Sequence, residues 1–193
     1  MNCKQIAAII LAAGGSIRLG TPKQLIPWQG MTLLNFTIAT IKESGIEEVV
    51  IVLGASADVI RTSLKDTQLR IVVNAGWQTG KASSIRAGLN AIPGTAKGVL
   101  IFLCDQPYLS AELIHKIIQA GEESEAKIIA PAVGEQLSNP VLFKKEIFSA
   151  FYTLQGEEGG KNLFTRYPVQ KVPWKDKRIL LDIDTQDDLG KLA

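Results

Sequence analysis

The sequence predicts an α/β fold, a three-layer, Rossmann-like arrangement in which helices cover both faces of a mostly parallel sheet. One observation is the regular alternation of short apolar runs with segments whose apolar residues recur at helical spacing. The other is a glycine-rich turn, Gly14-Gly15-Ser16, directly after the first apolar run. Since sheets of this kind bind ligands at the carboxyl ends of their strands, this turn marks an expected site.

The alternation extends over the first two thirds of the chain. Apolar and β-branched runs predict strands at residues 6–11, 49–53, 69–73, 99–103 and 127–130. Helical spacing predicts helices at residues 33–44, 57–64 and 83–92, and from a cap at Ser110 to about residue 120. Each predicted helix therefore connects two predicted strands, as parallel pairing requires.

The last third of the chain is less regular. Its pattern predicts a loop that enters a strand (137–143), a glycine-rich turn before a short helix (156–163), an edge strand (169–174), a further strand (179–183) and a capped last helix (184–189). The sequence contains no internal repeat, linker or low-complexity segment. We therefore expect residues 1–193 to form a single domain.

The composition excludes several classes of protein. A net charge of +2, from 21 basic and 19 acidic residues, lacks the basic excess of a nucleic-acid-binding surface. No apolar run is long enough to span a bilayer and no secretory signal is evident, so we expect a cytoplasmic protein that does not bind a membrane. Two cysteines make neither a disulfide framework nor a zinc site, and Cys104 is expected to be a buried free thiol.

The glycine turn is followed by two cations, Arg18 and Lys23, which together with free backbone N–H groups predict a cradle for a polyphosphate. A Walker loop is excluded because Thr21 stands where that motif requires lysine. A dinucleotide fingerprint is excluded because Gly14-Gly15-Ser16 does not supply its glycine spacing. The alternative for the two glycines is an ordinary strand-to-helix turn.

Residues 11–30, LAAGGSIRLGTPKQLIPWQG, resemble the signature loop of nucleotidyltransferases similar to molybdenum cofactor cytidylyltransferase. The resemblance covers nearly the whole chain and implies a fold of the nucleotide-diphospho-sugar transferase type. In this family a start of LAAG goes with CTP and LAGG with GTP, and the Ala13 methyl group is expected to exclude a purine. The nucleotide-binding residues implied in this loop are Leu11, Ala12, Ala13, Gly14, Gly15, Ser16, Arg18 and Lys23.

Residues 74–89, NAGWQTGKASSIRAGL, resemble a second segment of the family. The resemblance implies that Asn74, Gly80 and Ser84 also bind the nucleotide. An asparagine amide offers the donor and the acceptor that cytosine recognition requires, and Gly80 allows close approach of the backbone. Trp77 is expected to pack against the protein rather than to stack on a ligand.

Asp105 follows an apolar run and is therefore expected at the end of a strand. Mg²⁺ prefers oxygen ligands and binds nucleotide phosphates through one or two carboxylates, so Asp105 is a candidate metal ligand. A helix or turn cap is the alternative role. The segment Cys104-Asp105-Gln106-Pro107 resembles the family's metal-binding segment, which implies Asp105 as metal ligand and Gln106 as an acceptor contact.

Asp182 and Asp184 are candidates for a second metal ligand. We assign them to opposite faces of the predicted strand 179–183, so that at most one is expected to face the site. The segment Ile183-Asp184-Thr185 resembles the family's C-terminal motif and favours Asp184 as the ligand, which makes Asp182 dispensable. A helix cap is the alternative role for Asp184.

The predicted function is transfer of CMP from CTP to a phosphate-bearing acceptor, with release of pyrophosphate, Mg²⁺ as cofactor, and Arg18, Lys23 and Asp105 as catalytic residues. The resemblance implies molybdopterin as acceptor, Asn139 beside Gln106 in the acceptor site, and a molybdenum hydroxylase apoenzyme as a further partner. Departures from the family pattern at Ser138, Glu157 and Lys161 leave the acceptor open. The alternatives are a cytidylyltransferase for a sugar or polyol phosphate and a non-catalytic module that delivers molybdenum cofactor.

Overall fold

The computed structural model of this protein describes residues 2–66 and 68–192. Within these residues an eight-stranded sheet and a separate two-stranded hairpin are formed. The strands of the main sheet are β1 (Ile6–Ala12), β4 (Glu48–Leu53), β5 (Arg70–Val73), β6 (Gly98–Leu103), β7 (Ile128–Val133), β8 (Gln136–Leu137), β9 (Val141–Lys144) and β10 (Val169–Pro173). The hairpin consists of β2 (Pro27–Trp28) and β3 (Met31–Thr32).

Five α-helices are present in the described part of the chain: α1 (Leu33–Glu43), α2 (Ala57–Ser63), α3 (Lys81–Leu89), α4 (Ala111–Glu123) and α5 (Gln186–Leu189). Short 3-10 helices occupy Cys3–Gln5, Lys23–Leu25, Trp77–Thr79, Lys145–Thr153, Gly160–Leu163 and Lys177–Leu180. The predicted cap of α4 is confirmed, since the hydroxyl of Ser110 accepts a hydrogen bond from the backbone N–H of Leu113. None of the helices built from the described residues is long and apolar enough to cross a membrane.

The strand order is β10-β7-β9-β6-β1-β4-β5, with β8 paired to β7. Strand β1 lies between β4 and β6 and is parallel to both, whereas β9 runs antiparallel to its neighbours β6 and β7. The prediction of a mostly parallel sheet is thereby confirmed. Because the chain leaves β1 for β4 on one side and later returns to β6 on the other, the order reverses at β1.

Most of the core forms two apolar layers, one on each face of the sheet, and a smaller third cluster contains Leu19, Trp28 and Ile183. Alternation along β1 sends Ile10 toward α1 and α4, while Ile9 packs toward α3. Helix α3 lies very close to the sheet, since a Cβ atom on Gly88 would come within 2.6 Å of the Ile9 side chain. Helices therefore cover both faces, as the three-layer prediction requires.

Most predicted elements are confirmed within a few residues, but the strand predicted at residues 179–183 is wrong. Residues Lys177–Leu180 form a 3-10 helix, and the chain from Leu181 to Asp184 belongs to no strand. Asp176 begins this helix by accepting a hydrogen bond from the N–H of Arg178. Ile179 and Ile183 of this segment are buried, but they do not pair in the sheet.

Cys104 is buried with an unpaired thiol, as predicted. Burial, reinforced by the negative charge of Asp105, raises the pKa of this thiol to about 12. Cys104 is therefore uncharged at neutral pH. The charged side chain at this end of β6 is that of the next residue, Asp105.

Candidate active site

A cavity of about 550 Å³ lies where β1 and β6 end. Five segments line it: the loop after β1, residues 77–84 around the start of α3, the end of β6 with Asp105, Glu157, and the segment that carries Asp182 and Asp184. Its lining includes the carboxylates of Asp105, Asp182 and Asp184, the glycine turn, Arg18 and Lys23. The cavity thus occupies the carboxyl ends of parallel strands at the point where the strand order reverses.

The loop after β1 is folded around Ser16. This residue adopts a positive φ of 50°, and its carbonyl oxygen accepts hydrogen bonds from the N–H groups of Leu19 and Gly20 at 3.0 and 3.1 Å. Its hydroxyl accepts a further bond from the N–H of Lys23 at 3.0 Å. The backbone N–H groups from Gly14 to Arg18 donate to no acceptor in residues 2–66 and 68–192, so they are free to bind an anion.

Lys23 joins two carboxylates across the cavity. Its Nζ lies 2.7 Å from Oδ2 of Asp105 and 2.6 Å from Oδ1 of Asp184. Arg18 reaches the other oxygen of Asp184 at 3.1 Å, although 70% of the Arg18 side chain is exposed. Side chains separated by more than eighty residues in the sequence therefore form one ionic network.

The network controls the charge states of its members. Burial disfavours the charge of Lys23, but the charge of Asp105 and the hydrogen bonds to both aspartates outweigh it and raise the pKa of Lys23 well above its ordinary value. The hydrogen bond from Lys23, together with the charges of Lys23 and Arg18, lowers the pKa of Asp184. At neutral pH the lysine is therefore positive and Asp184 negative.

The carboxylates of this network fit a divalent cation. Oδ1 of Asp105 is buried and has no hydrogen-bond partner among the described residues, so this acceptor oxygen is left unpaired beside the network. Those residues contain no cluster of three or more histidine, cysteine or acidic side chains arranged for a metal. A site of two carboxylates completed by substrate phosphates is the arrangement that Mg²⁺ commonly uses.

Most of the predicted nucleotide-binding residues line the large cavity. Those that do so are Leu11, Ala13, Gly14, Gly15, Ser16, Arg18, Lys23, Gly80 and Ser84. Ala12 and Asn74 do not line it. The carbonyl of Ala12 accepts a hydrogen bond from Gln24, and the amide of Asn74 donates to Ser83 and Ser84 while its oxygen accepts from the N–H of Gly76. Their observed contacts hold the two loops in place.

The expectation that at most one of Asp182 and Asp184 faces the site is wrong, because both line the large cavity. In an extended segment side chains alternate between two sides, so residues i and i+2 point to the same side. Asp182 and Asp184 are related in this way. Ile183 between them is fully buried, and its N–H donates to the carbonyl of Asp105 at 2.9 Å. The buried isoleucine fixes the segment and turns both carboxylates toward the cavity.

Gln106 was predicted to contact the acceptor. In the structure it is buried and lines neither cavity. Its amide nitrogen donates to Oδ1 of Asp182 at 2.8 Å. Although Asp182 is exposed, partial desolvation of its carboxylate and the nearby charge of Asp105 raise its pKa. Gln106 thus contributes to the site through Asp182, which the sequence analysis had set aside.

A second cavity of about 220 Å³ adjoins the first and shares with it Leu11, Lys81, Leu103, Glu157 and Asp182. Asn139, predicted on the acceptor side, lines this smaller cavity. Glu157 and Lys161, two of the departures from the family pattern, line this smaller cavity, whereas Lys81 was not predicted as a site residue. The glycine-rich composition of residues 156–160 was the available signal, since glycines mark close approaches of the backbone.

Gly80 joins the two segments that carry these residues. It has a φ of 107° and a ψ of 175°, and a Cβ atom there would lie 2.2 Å from the backbone of Gly156. The N–H of Ala82 donates to the carbonyl of Gly156 at 3.0 Å, so the start of α3 and the glycine-rich turn are in direct backbone contact. Only glycine is compatible with this conformation.

Gly80→Ala is expected to lower the free energy of unfolding by about 2–4 kcal/mol, because the new methyl group adds a backbone clash to a conformation that itself costs about 1–3 kcal/mol. Urea denaturation measures the change. Gly94→Ala is the matched control, since a Cβ atom there meets nothing within 4 Å. Equal stability of the two variants would contradict the backbone contact between Gly80 and Gly156.

Comparisons with known proteins agree on one family. A family model described as a MobA-like NTP transferase domain matches residues 8–172. Nicotine blue oxidoreductase of Paenarthrobacter nicotinovorans is 31% identical, over 97% of this chain and 96% of that protein. A probable molybdenum cofactor guanylyltransferase of Bacillus cytotoxicus is 30% identical, over 98% and 96%.

Solved structures share the fold over the whole chain. The crystal structure of Rv0371c from Mycobacterium tuberculosis H37Rv is 30% identical and superposes with a TM-score of 0.88, covering 99% of this chain and 98% of that one. A structure of Rv0371C in complex with manganese is 27% identical and gives a TM-score of 0.84, with 98% of each chain covered. The similarity therefore includes both the sheet and the segments that build the cavity.

Proposed function

The chain belongs to the MobA-like NTP transferase family, and from that premise we propose that it transfers CMP from CTP to a phosphate-bearing acceptor, with release of pyrophosphate. The observation that carries the proposal is the contact of Lys23 with Asp105 and Asp184 beside a glycine turn whose N–H groups are free. This arrangement provides positive charge for phosphates and negative charge for a divalent cation in one cavity.

The reaction does not require a strong general base. An acceptor phosphate is already ionised at neutral pH, so catalysis depends on positioning the reactants and on stabilising charge as pyrophosphate departs. The N–H groups of Gly14 to Ser16 and the side chains of Arg18 and Lys23 bind the triphosphate and stabilise this charge. Since Lys23 is held by two aspartates, its ammonium group is already placed within the cavity.

Asp105 and Asp184 are the residues that would hold Mg²⁺. When bound, the ion supplies positive charge to the phosphate oxygens of the nucleotide. The unpartnered Oδ1 of Asp105 supports a divalent metal at this place, and a structural relative is described as a complex with manganese. The role of the protein is to keep the two carboxylates together, which the buried Ile183 and its bond to Asp105 achieve.

Molybdopterin is the acceptor we propose, and a molybdenum hydroxylase apoenzyme is the recipient of the product. Support comes from the relative that is named a molybdenum cofactor guanylyltransferase. The competing acceptors are sugar and polyol phosphates, and the competing role is delivery of molybdenum cofactor without turnover. The name of the other relative, nicotine blue oxidoreductase, adds a different reaction class to the alternatives.

The test is pyrophosphate release from CTP and Mg²⁺ in the presence of molybdopterin, compared with a panel of sugar and polyol phosphates. We expect pyrophosphate release with molybdopterin and none with the sugar and polyol phosphates. Turnover with a sugar phosphate would change the acceptor but keep the reaction. Absence of pyrophosphate with every acceptor would overturn the transfer reaction.

The base of the nucleotide is expected to be cytosine. Ala13 is almost fully buried and lines the large cavity, so its methyl group reduces the space for a purine. We expect kcat/KM for CTP to exceed that for GTP by at least about tenfold. Equal values, or a preference for GTP, would contradict this proposal.

Ala13→Gly tests the steric cause separately. The variant removes the methyl group and is expected to narrow the difference between CTP and GTP, mainly through improved use of GTP. Leu89→Ala, a truncation in the same apolar layer that lines neither cavity, controls for general loosening of the fold. An unchanged ratio in Ala13→Gly would show that another feature selects the base.

A further inference from the structure

Asp182 occupies the junction of the two cavities and lines both. The large cavity contains the glycine turn and the network of Lys23, Asp105 and Asp184, which we have proposed as the nucleotide side. The small cavity has no part of that network. A side chain shared by the two lies where a bound acceptor meets a bound nucleotide.

A buried amide holds Asp182 in this position. Gln106 is only 7% exposed, and its Nε2 donates to Oδ1 of Asp182 at 2.8 Å and to the hydroxyl of Ser138 at 3.4 Å. The Ser138 hydroxyl in turn donates to the carbonyl of Ile179 at 2.8 Å. Three elements that are distant in sequence thus fix one carboxylate oxygen, while Oδ2 of Asp182 has no hydrogen bond to any described residue.

The small cavity combines apolar walls with polar groups at its rim. Ile101, Val141 and Phe143 form part of the walls. Two lysines, Lys81 and Lys161, and two carboxylates, Glu157 and Asp182, also line the cavity. With a volume of about 220 Å³ it is smaller than the sites that enclose whole drug-sized ligands. Such a space suits a flat ring system with an anionic group nearby, and the accepting oxygen of Asp182 then faces any N–H group on the ring.

We propose that Asp182 determines acceptor specificity by accepting hydrogen bonds from N–H groups of the acceptor's heterocycle, and that Gln106 is the positioning residue that orients it. The inference rests on the proposed function in that the small cavity is the acceptor side. A carboxylate is the acceptor-only group that matches adjacent N–H donors, such as the ring and amino nitrogens of a pterin. The walls of the cavity receive the face of the ring.

The experiment measures binding before turnover. Molybdopterin and CTP are each titrated anaerobically by calorimetry into the full-length protein and its variants Asp182→Asn and Gln106→Met. Asp182→Asn keeps the shape but removes the acceptor-only carboxylate, and it is expected to raise the Kd of molybdopterin about tenfold or more. Gln106→Met removes the positioning donor and is expected to produce a smaller rise, while the Kd of CTP changes little in both variants.

The control variant is Asp187→Asn, which removes the same charge from the same segment but lines neither cavity. Its Kd for molybdopterin is expected to equal that of the wild type. A purely structural role of Gln106 would weaken CTP and molybdopterin together and lower the unfolding midpoint, which overturns its assignment as a positioning residue.

The outcomes separate the inference from the proposed function. If the wild type releases pyrophosphate but Asp182→Asn binds molybdopterin normally, the inference fails and the function stands. If the wild type releases none, yet binds molybdopterin in a manner that depends on Asp182, the function fails and the inference stands. Absence of molybdopterin binding by the wild type, or a higher manganese requirement for CTP binding in Asp182→Asn, overturns the inference.

Discussion

Asp105→Asn is expected to reduce turnover by about 10³-fold, because the variant loses the carboxylate that contacts Lys23 and that would hold the proposed metal. The substitution preserves the size of the side chain, so it changes charge rather than packing. Lys23 keeps its contact with Asp184, and the free energy of unfolding is therefore expected to change by less than about 2 kcal/mol. Steady-state pyrophosphate release and urea denaturation provide the two measurements.

A binding measurement separates this effect from damage to the fold. The Kd of Mn²⁺ in the presence of CTP is expected to rise in Asp105→Asn and to remain unchanged in Asp58→Asn, an exposed carboxylate on α2 that lines neither cavity. The Kd of Mn²⁺ for Asp184→Asn is expected to lie between the values for Asp105→Asn and Asp58→Asn. An Asp105→Asn variant with wild-type turnover would overturn the assignment of the site.

Lys23→Ala is expected to lower turnover by about 10²–10³-fold, the usual scale for the loss of one group that stabilises charge in the transition state. Only 14% of the Lys23 side chain is exposed, so its ammonium group acts in a partly desolvated site where electrostatic interactions are strong. The backbone bond from its N–H to Ser16 does not involve the side chain, and the loop is expected to keep its shape.

The variant leaves Asp105 and Asp184 facing each other without the cation that now joins them. Their repulsion is expected to lower the melting temperature, and added Mn²⁺ is expected to restore it in part, because the ion replaces the missing positive charge. Lys175→Ala, at an exposed lysine, is the control and should show neither effect. Near wild-type turnover of Lys23→Ala would show that the lysine does not act on the phosphates.

The sequence predicted the strands and helices of the sheet well because their signals are local. The run of apolar residues in β1 and the hydroxyl cap at Ser110 depend on neighbours in the chain. The failure at residues 179–183 has the opposite cause. An apolar run predicts burial, but tertiary packing decides whether it pairs as a strand. Here Ile179 packs in the layer that contains α4 and Ile183 packs in a separate cluster with Leu19 and Trp28, and neither pairs in the sheet.

The site could be predicted in part, because some of its residues also carry local signals in the sequence. The glycine turn, Lys23 and Asp105 were recognisable from their spacing around predicted strands, and the structure brings all three to one cavity. Gln106 and Asn74 are polar residues in the right segments, but their amides are used by Asp182 and by two serines, respectively. The direction in which such a side chain points depends on partners that are far away in sequence.

The sequence by itself determined the α/β architecture, the family and the loop that is expected to bind phosphate, because periodicity, glycine placement and motif spacing are properties of short stretches of chain. Only the tertiary structure decided that Lys23 bridges Asp105 and Asp184, and that Asp182 faces both cavities. The physical reason is that these contacts join residues up to 161 positions apart. Their formation depends on the burial of Ile183 and on the order of the strands, which no local pattern specifies.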